Sequence, residues 1–260
     1  MATLDFYQAG RSRVHGWNPV TKLSLSLTLV VTAFALPVLW WPVALLVLVL
    51  LPAVLASGVQ RRFLATMSRF LLPVILLLFV IQGLFYPGGG QVLLTLGPLS
   101  VHADGLLFAA RTALRLVVLT GSFLFLLLTT HPGDLMTALV ARGLPPKISY
   151  VVSATLQIIP AFRQRAQGIL QAQRARGLRT DTGLVSRVRA LVPLISPLIL
   201  GALSEVDERS IAMEARAFGS TARRTSYTVI PDSTAQRLAR WLMLLAALTA
   251  IALTTTGVVS

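Results

Sequence analysis

Residues 105–129 read GLLFAARTALRLVVLTGSFLFLLLT, twenty-five positions with no acidic residue. About 20 mostly apolar residues cross the ~30 Å hydrocarbon layer of a bilayer at ~1.5 Å each, so this stretch predicts a membrane-spanning helix. Runs at 22–36, 38–56, 70–84 and 241–259 carry the same signal, the first and third being short for it. Trp40 and Trp41, set between Pro37 and Pro42, suit a membrane interface. With 55% hydrophobic and 12% charged residues, a chain of 260 has more apolar surface than a soluble fold could bury. The expected fold is all-α: a polytopic membrane protein with about five transmembrane helices and a cytoplasmic module of long helices. Ala33, Phe34 and Ala35 resemble a signal-cleavage triplet, but Pro37 and the later apolar runs favour an uncleaved first span.

The formal charge is +14, and its placement predicts sidedness, because Lys and Arg are retained on the cytoplasmic side. Arg11, Arg13 and Lys22 precede the first span, Arg61, Arg62 and Arg69 lie between the second and third, and the remaining large group falls between His131 and Arg240. If five spans alternate, 21 of the 23 Lys and Arg residues share one side. The segment 85–103, with Gly88, Gly89 and Gly90, has neither Lys nor Arg and reads as an outer loop. The amino terminus is therefore expected inside and the carboxyl terminus outside. The two exceptions, Arg111 and Arg115, lie one turn apart near the outer end of the fourth span. They either snorkel to the outer headgroups or face the bundle or a partner membrane protein.

The expected division is a membrane domain at 1–130, a cytoplasmic helical module at 131–236 and a last span at 237–260. Within the module a short helix is expected to start at Pro132-Gly133-Asp134, capped by Asp134, and to end near Gly143. From Lys147 to about Arg176, Ile148, Val152, Thr155, Ile159, Phe162, Ala166 and Ile169 recur at spacings of four and three, a heptad seam. Its second half carries Arg163, Gln164, Arg165, Gln167, Gln171 and Gln173, so this helix cannot span. A second long helix is expected from about Leu184 to Arg216, with its apolar centre, Leu191 to Leu203, buried against other helices and bent at Pro193 and Pro197. Glu205, Asp207, Glu208 and Glu214 follow, and some of them should pair with Arg209 or Arg216 along the helix.

Both long helices end alike. Ala175-Arg176-Gly177 closes the first, and Ala215-Arg216-Ala217 closes the second, two residues before Gly219. Small neighbours let a partner approach the backbone, and the guanidinium offers a planar fork to a carboxylate. Cations are also favoured at helix carboxyl ends and glycine is an ordinary stop, which accounts for one such ending but less well for two.

The chain resembles the transmembrane T component of energy-coupling factor transporters, the EcfT and CbiQ family. The likeness rests on Asn18-Pro19-Val20-Thr21-Lys22-Leu23, on Pro132-Gly133-Asp134-Leu135-Met136-Thr137-Ala138-Leu139 and on the two Ala-Arg endings, and covers nearly the whole chain. It implies a non-catalytic scaffold in a prokaryotic plasma membrane, holding a small substrate-binding membrane protein, the S component, against two ATP-binding-cassette ATPases. On this resemblance Arg176 and Arg216 insert into grooves on the ATPases. ATP and Mg²⁺ sit on those subunits, no cofactor is bound by this chain, and a vitamin or transition-metal ion is carried. Ala217 departs from the glycine that the family often has after the arginine.

Other classes find little support in the residues. His15, His102 and His131 lack metal-ligand spacing, no carboxylate pair lies in a predicted span, and no phosphate-binding loop ends in Gly-Lys-Ser or Gly-Lys-Thr. The absence of cysteine excludes disulfides and thiolate metal sites. A stand-alone polytopic transporter would need polar or ionisable residues inside the bundle. A scaffold whose basic helices bind anionic lipid, or nucleic acid, through charge alone would not need two arginines at matched helix ends.

Overall fold

A computed structural model of the protein describes residues 8, 10, 12, 14–86, 92–96, 99–177, 184–220 and 229–256. The chain divides into two compact units, residues 1–138 together with 230–260, and residues 139–229.

In the first unit α1 covers Pro19–Ala35. Next, α2 (Trp40–Leu45), a π-helical turn (Leu46–Leu50) and α3 (Leu51–Ser57) form one uninterrupted apolar rod. The wide turn has a local cause: Pro52 has no amide to give the carbonyl four residues back, and its ring crowds that carbonyl. After the left-handed Gly58, α4 runs Gln60–Phe85 with Pro73 inside it. It is followed by α5 (Ala103–Thr129), α6 (Pro132–Val140) and, at the end of the chain, α9 (Thr234–Thr255). Among the described residues four helical stretches are long and apolar enough to cross a membrane, at 40–57, 60–85, 103–129 and 234–255, and the 17-residue α1 is a shorter fifth.

The helices depart from the expected spans at several ends. Lys22 does not precede the first helix but lies inside it, because Asn18 caps α1 by accepting the Val20 amide at 3.0 Å. The third span begins ten residues earlier than its apolar run, taking in Arg61, Arg62 and Arg69. The last begins at Thr234 rather than 241, and positions 257–259 of its expected course lie outside the described residues. The fold is all-α in its spans, but the expected outer loop holds an antiparallel hairpin, β1 (Val92–Leu96) with β2 (Leu99–His102). Asp134 does not cap α6: it sits in the first turn, and His131 Nδ1 accepts the Gly133 amide at 3.1 Å.

Neighbouring spans pack both antiparallel and parallel. Beside α4, α5 runs antiparallel, with Gly105 so close to the Gln82 carbonyl that any Cβ there would overlap it. Between α1 and α5 the seam is also antiparallel: Lys22 Nζ donates to the Thr129 carbonyl at 2.8 Å, Ser26 Oγ to the Ser122 carbonyl at 3.0 Å, and Arg115 Nη2 to the Leu36 carbonyl at 3.3 Å. Each helix thus supplies a cation to the carboxyl end of the other, where free carbonyls and the helix dipole favour one. Parallel to α1 lies α9, tied to it at their shared end: Arg240 donates to Thr21 Oγ1 at 2.7 Å and grips both Asp232 oxygens at 2.9 Å, while Gln236 Oε1 accepts the Asn18 amide and Asn18 Nδ2 donates to the Pro231 carbonyl. The hydrophobic core sits between these helices, built from Leu25, Leu29, Leu50, Val54, Phe63, Val118, Phe125 and Leu128. Outward, α4 and α9 expose leucine, phenylalanine and tryptophan, among them Leu72, Leu76, Trp241 and Leu245, as a lipid-facing surface requires.

Lys22 is the largest fully buried side chain of the described residues, and Nζ also donates to the His15 carbonyl at 3.2 Å. Lys22→Met removes both bonds from a buried site. A loss of about 1.5–3 kcal/mol is expected, read as a lower melting temperature of the detergent-purified chain, while Arg163→Met at an exposed position leaves it unchanged.

Candidate coupling interface

The second unit is built on α7 (Pro146–Ala175) and α8 (Leu184–Ala215). Pro145 and Pro146 open α7, Pro146 lying in the first turn where its missing amide costs nothing. Pro160 lies inside α7, and α8 passes through both Pro193 and Pro197. The two helices run in opposite directions. Tyr150 near the start of α7 packs with its ring tilted against Phe218 just past the end of α8, centroids 5.2 Å apart, and further along Arg165 Nη2 meets Glu205 Oε2 at 3.0 Å.

Burial here overturns part of the sequence expectation. No described residue of α7 is buried, and on its heptad seam Ile148, Thr155 and Ile159 are exposed while Val152, Phe162, Ala166 and Ile169 are half-buried. In the apolar centre of α8, Leu194 is buried, but Ile195, Ile199, Leu200 and Leu203 are all more than half exposed. The periodicity located apolar faces correctly as faces. Most of their covering surface does not come from within this unit.

The two arginine endings have closely similar backbone geometry. Arg176 is the last residue before the left-handed Gly177 (φ 93°), whose amide bonds the Arg174 carbonyl at 3.0 Å. Arg216 stands in the same position before Ala217. There the amide of Ala217 bonds the Glu214 carbonyl and that of Phe218 the Met213 carbonyl, both at 2.9 Å, a complete Schellman stop. Ala217 adopts φ 56°, the one described non-glycine residue with positive φ. Ala175, Arg176, Gly177, Ala215, Arg216 and Ala217 are all exposed, and neither guanidinium carries an ion pair among the described residues.

The arginines lie at opposite ends of the pair. Arg216 is beside the start of α7, where Phe218 meets Tyr150, and Arg176 is at its far end. From the Arg165–Glu205 contact, each arginine is eleven residues further along its helix, about 16 Å, so the two tips stand roughly 30 Å apart. Each offers a cation at the carboxyl end of a helix, to which a carboxylate on a docking surface can pair.

Glu205 also accepts from Arg209 one turn on, the expected pairing along α8. The bond from Arg165 on the other helix, followed by the charge of Arg209, holds its carboxyl below the usual range. The Arg165 link was not legible, since nothing in the sequence marks which residue of α7 faces Glu205.

In the first unit Arg111 and Arg115 do not act together. Arg111 is exposed, whereas Arg115 turns inward to the Leu36 carbonyl and lies over the Phe34 ring at 5.9 Å. Outside the spans, His15 stacks no metal ligands around it: its ring nitrogens meet Ser12 Oγ at 2.7 Å and the Gln8 carbonyl at 3.0 Å, and burial lowers its pKa. No group of three or more metal-binding side chains occurs among the described residues.

Comparison with known proteins agrees with this architecture. The family model for CbiQ, described as a cobalt transport protein, matches residues 10–227. Energy-coupling factor transporter transmembrane proteins EcfT are similar along most of their length: 32% identity to that of Bacillus selenitireducens over 85% of each chain, 32% to that of Heliobacterium modesticaldum over 86% of each, and 30% to that of Listeria innocua over 92% of this chain and 89% of the other. With its apolar spans, a pair of long arginine-ended helices and these likenesses together, the chain belongs to the CbiQ and EcfT family of energy-coupling factor transporter transmembrane components.

Proposed function

We propose that the chain couples two cytoplasmic ATP-binding-cassette ATPases to a small substrate-binding membrane protein, importing a vitamin or a transition-metal ion. The observation that carries the reading is the matched pair of exposed arginines, Arg176 and Arg216, at opposite ends of α7 and α8. Two equivalent anchors roughly 30 Å apart suit two separate subunits better than one groove. The chain itself performs no hydrolysis: ATP and Mg²⁺ belong to the ATPases.

The exposed apolar residues between the anchors, Leu156, Ile159, Ile199 and Leu203, then meet the substrate-binding membrane protein. Arg111, exposed beside Leu107 and Phe108 on α5, is a second contact to a membrane partner. Arg115 is assigned to holding α1 instead. In the membrane of a prokaryotic cell the amino terminus lies in the cytoplasm and the carboxyl terminus outside, the direction that the lysine and arginine distribution requires.

Removing one member of a buried charge pair costs about 2–5 kcal/mol, or roughly 30-fold to several thousand-fold in affinity. Arg176→Glu with Arg216→Glu is therefore expected to abolish co-purification of the ATPases while the membrane unit keeps its melting temperature. Undiminished co-purification would overturn the reading. Ala217 holds a conformation that costs an L-residue about 1–2 kcal/mol, so Ala217→Gly is expected to raise the stability of this helix end by up to about 1 kcal/mol and to leave ATPase attachment intact, checked by thermal melt and pull-down. Sidedness is testable because the chain has no cysteine. A thiol placed by Thr256→Cys is expected to react with an impermeant reagent on intact cells, and one placed by Gln60→Cys only after permeabilisation.

A further inference from the structure

The anchors on α7 and α8 can transmit motion together only if something fixes one helix to the other, and hydrophobic packing supplies little of that. No described residue of α7 is buried. Across the pair, Tyr150 meets Phe218 at one end and Arg165 bonds Glu205 further in. Phe218 belongs to the turn beyond α8, so the Arg165–Glu205 bond joins the bodies of the two helices. Both oxygens of Glu205 are engaged, Oε2 by Arg165 at 3.0 Å and Oε1 by Arg209 from its own helix. Arg209 thereby fixes the carboxylate in the direction from which Arg165 takes it.

The contact has a second property. It lies eleven residues before Arg176 on one helix and eleven before Arg216 on the other. A joint at that point is equidistant from the two tips, about 16 Å from each.

We propose that Glu205, held by Arg165 and Arg209, is the positioning residue that clasps α7 to α8, so that a displacement at either arginine tip moves the pair as one body about its midpoint. This rests on the coupling role proposed above. Glu205 touches neither nucleotide nor substrate; it acts through the two helices that carry the anchors. Without the clasp each ATPase would drag its own helix, and the apolar surface between the anchors would receive two uncoordinated movements in place of one.

The test uses the full chain, spin-labelled at Gln171→Cys on α7 and Ala212→Cys on α8, then assembled with its ATPases and substrate-binding protein in lipid. The chain has no other cysteine, so the labels are unambiguous. The distance between labels is measured without nucleotide and with ATP, alongside ATPase attachment and hydrolysis. With Glu205 present, one narrow distance distribution is expected that ATP leaves in place. In Glu205→Gln, attachment and hydrolysis persist, while the distribution broadens by about twofold or shifts on adding ATP. Arg165→Gln reports the same joint from the other helix should the first variant fail to assemble, and Arg165→Glu with Glu205→Arg is expected to restore the narrow distribution. A distance that ATP changes in the unaltered pair, or one as narrow in both single variants as without them, overturns the clasp. Failure of the coupling role itself reads differently: the ATPases would not be recovered with the chain at all, and the clasp would fall with it.

Discussion

A helix carboxyl end leaves its last carbonyls without amide partners, and inside a bilayer no water replaces them. The Lys22 bond to the Thr129 carbonyl answers that constraint and organises the membrane unit around it. It fixes α1 against α5, and the same turn of α1, through Asn18 and Thr21, holds the start of α9. Arg115 answers the matching need at the other end of α1. Cations in the apolar region are expensive unless given such partners, and these two are used where the dipoles of two antiparallel helices already favour positive charge.

The two units differ in how they are satisfied. In the membrane unit the buried groups Asn18, Lys22 and Ser26 find partners within the chain, and α4 and α9 turn mostly apolar side chains outward. The helical unit has the opposite character: α7 and α8 carry exposed isoleucines and leucines together with tip arginines that have no ion pair among the described residues. Helices of this length draw most of their stability from packing an apolar face, so this unit is shaped for surfaces other than its own. That incompleteness, more than any single residue, separates a component of an assembly from a transporter working alone. The joint at Glu205 matters for the same reason, since a pair of helices with so little shared core needs a specific bond to keep its register.

Much of this was legible beforehand because helix signals are local. The course of α5, α7 and α8 followed from apolar runs, glycines and prolines, and the arginine endings from their own few residues. Signals that failed were of two kinds. Charge was mistaken for a helix boundary: Arg61, Arg62 and Arg69, exposed but helical, concealed the first third of α4, and Lys22 read as preceding α1 although it is inside it and buried. Periodicity was mistaken for burial: it marks a face of α7 and the centre of α8 as apolar but says nothing of which molecule covers them. The Arg165–Glu205 bond joins residues forty apart, and its pairing depends on how two helices lie together, which no local pattern encodes.

The separation between Lys22 and its partner has a consequence for how the protein is made. Thr129 lies 107 residues downstream, and the partners of Asn18 and Thr21 come more than two hundred residues later. A ribosome delivers the first span long before the groups that satisfy it exist. Until the fourth span arrives, the nascent first helix holds a cation that lipid disfavours, so it must wait near the insertion machinery or the aqueous boundary instead of dispersing into the bilayer. The last helix then closes a ring of bonds begun at the first. A product truncated before α9 lacks the segment that completes the bonds of Asn18 and Thr21 and leaves that polar turn of α1 without them.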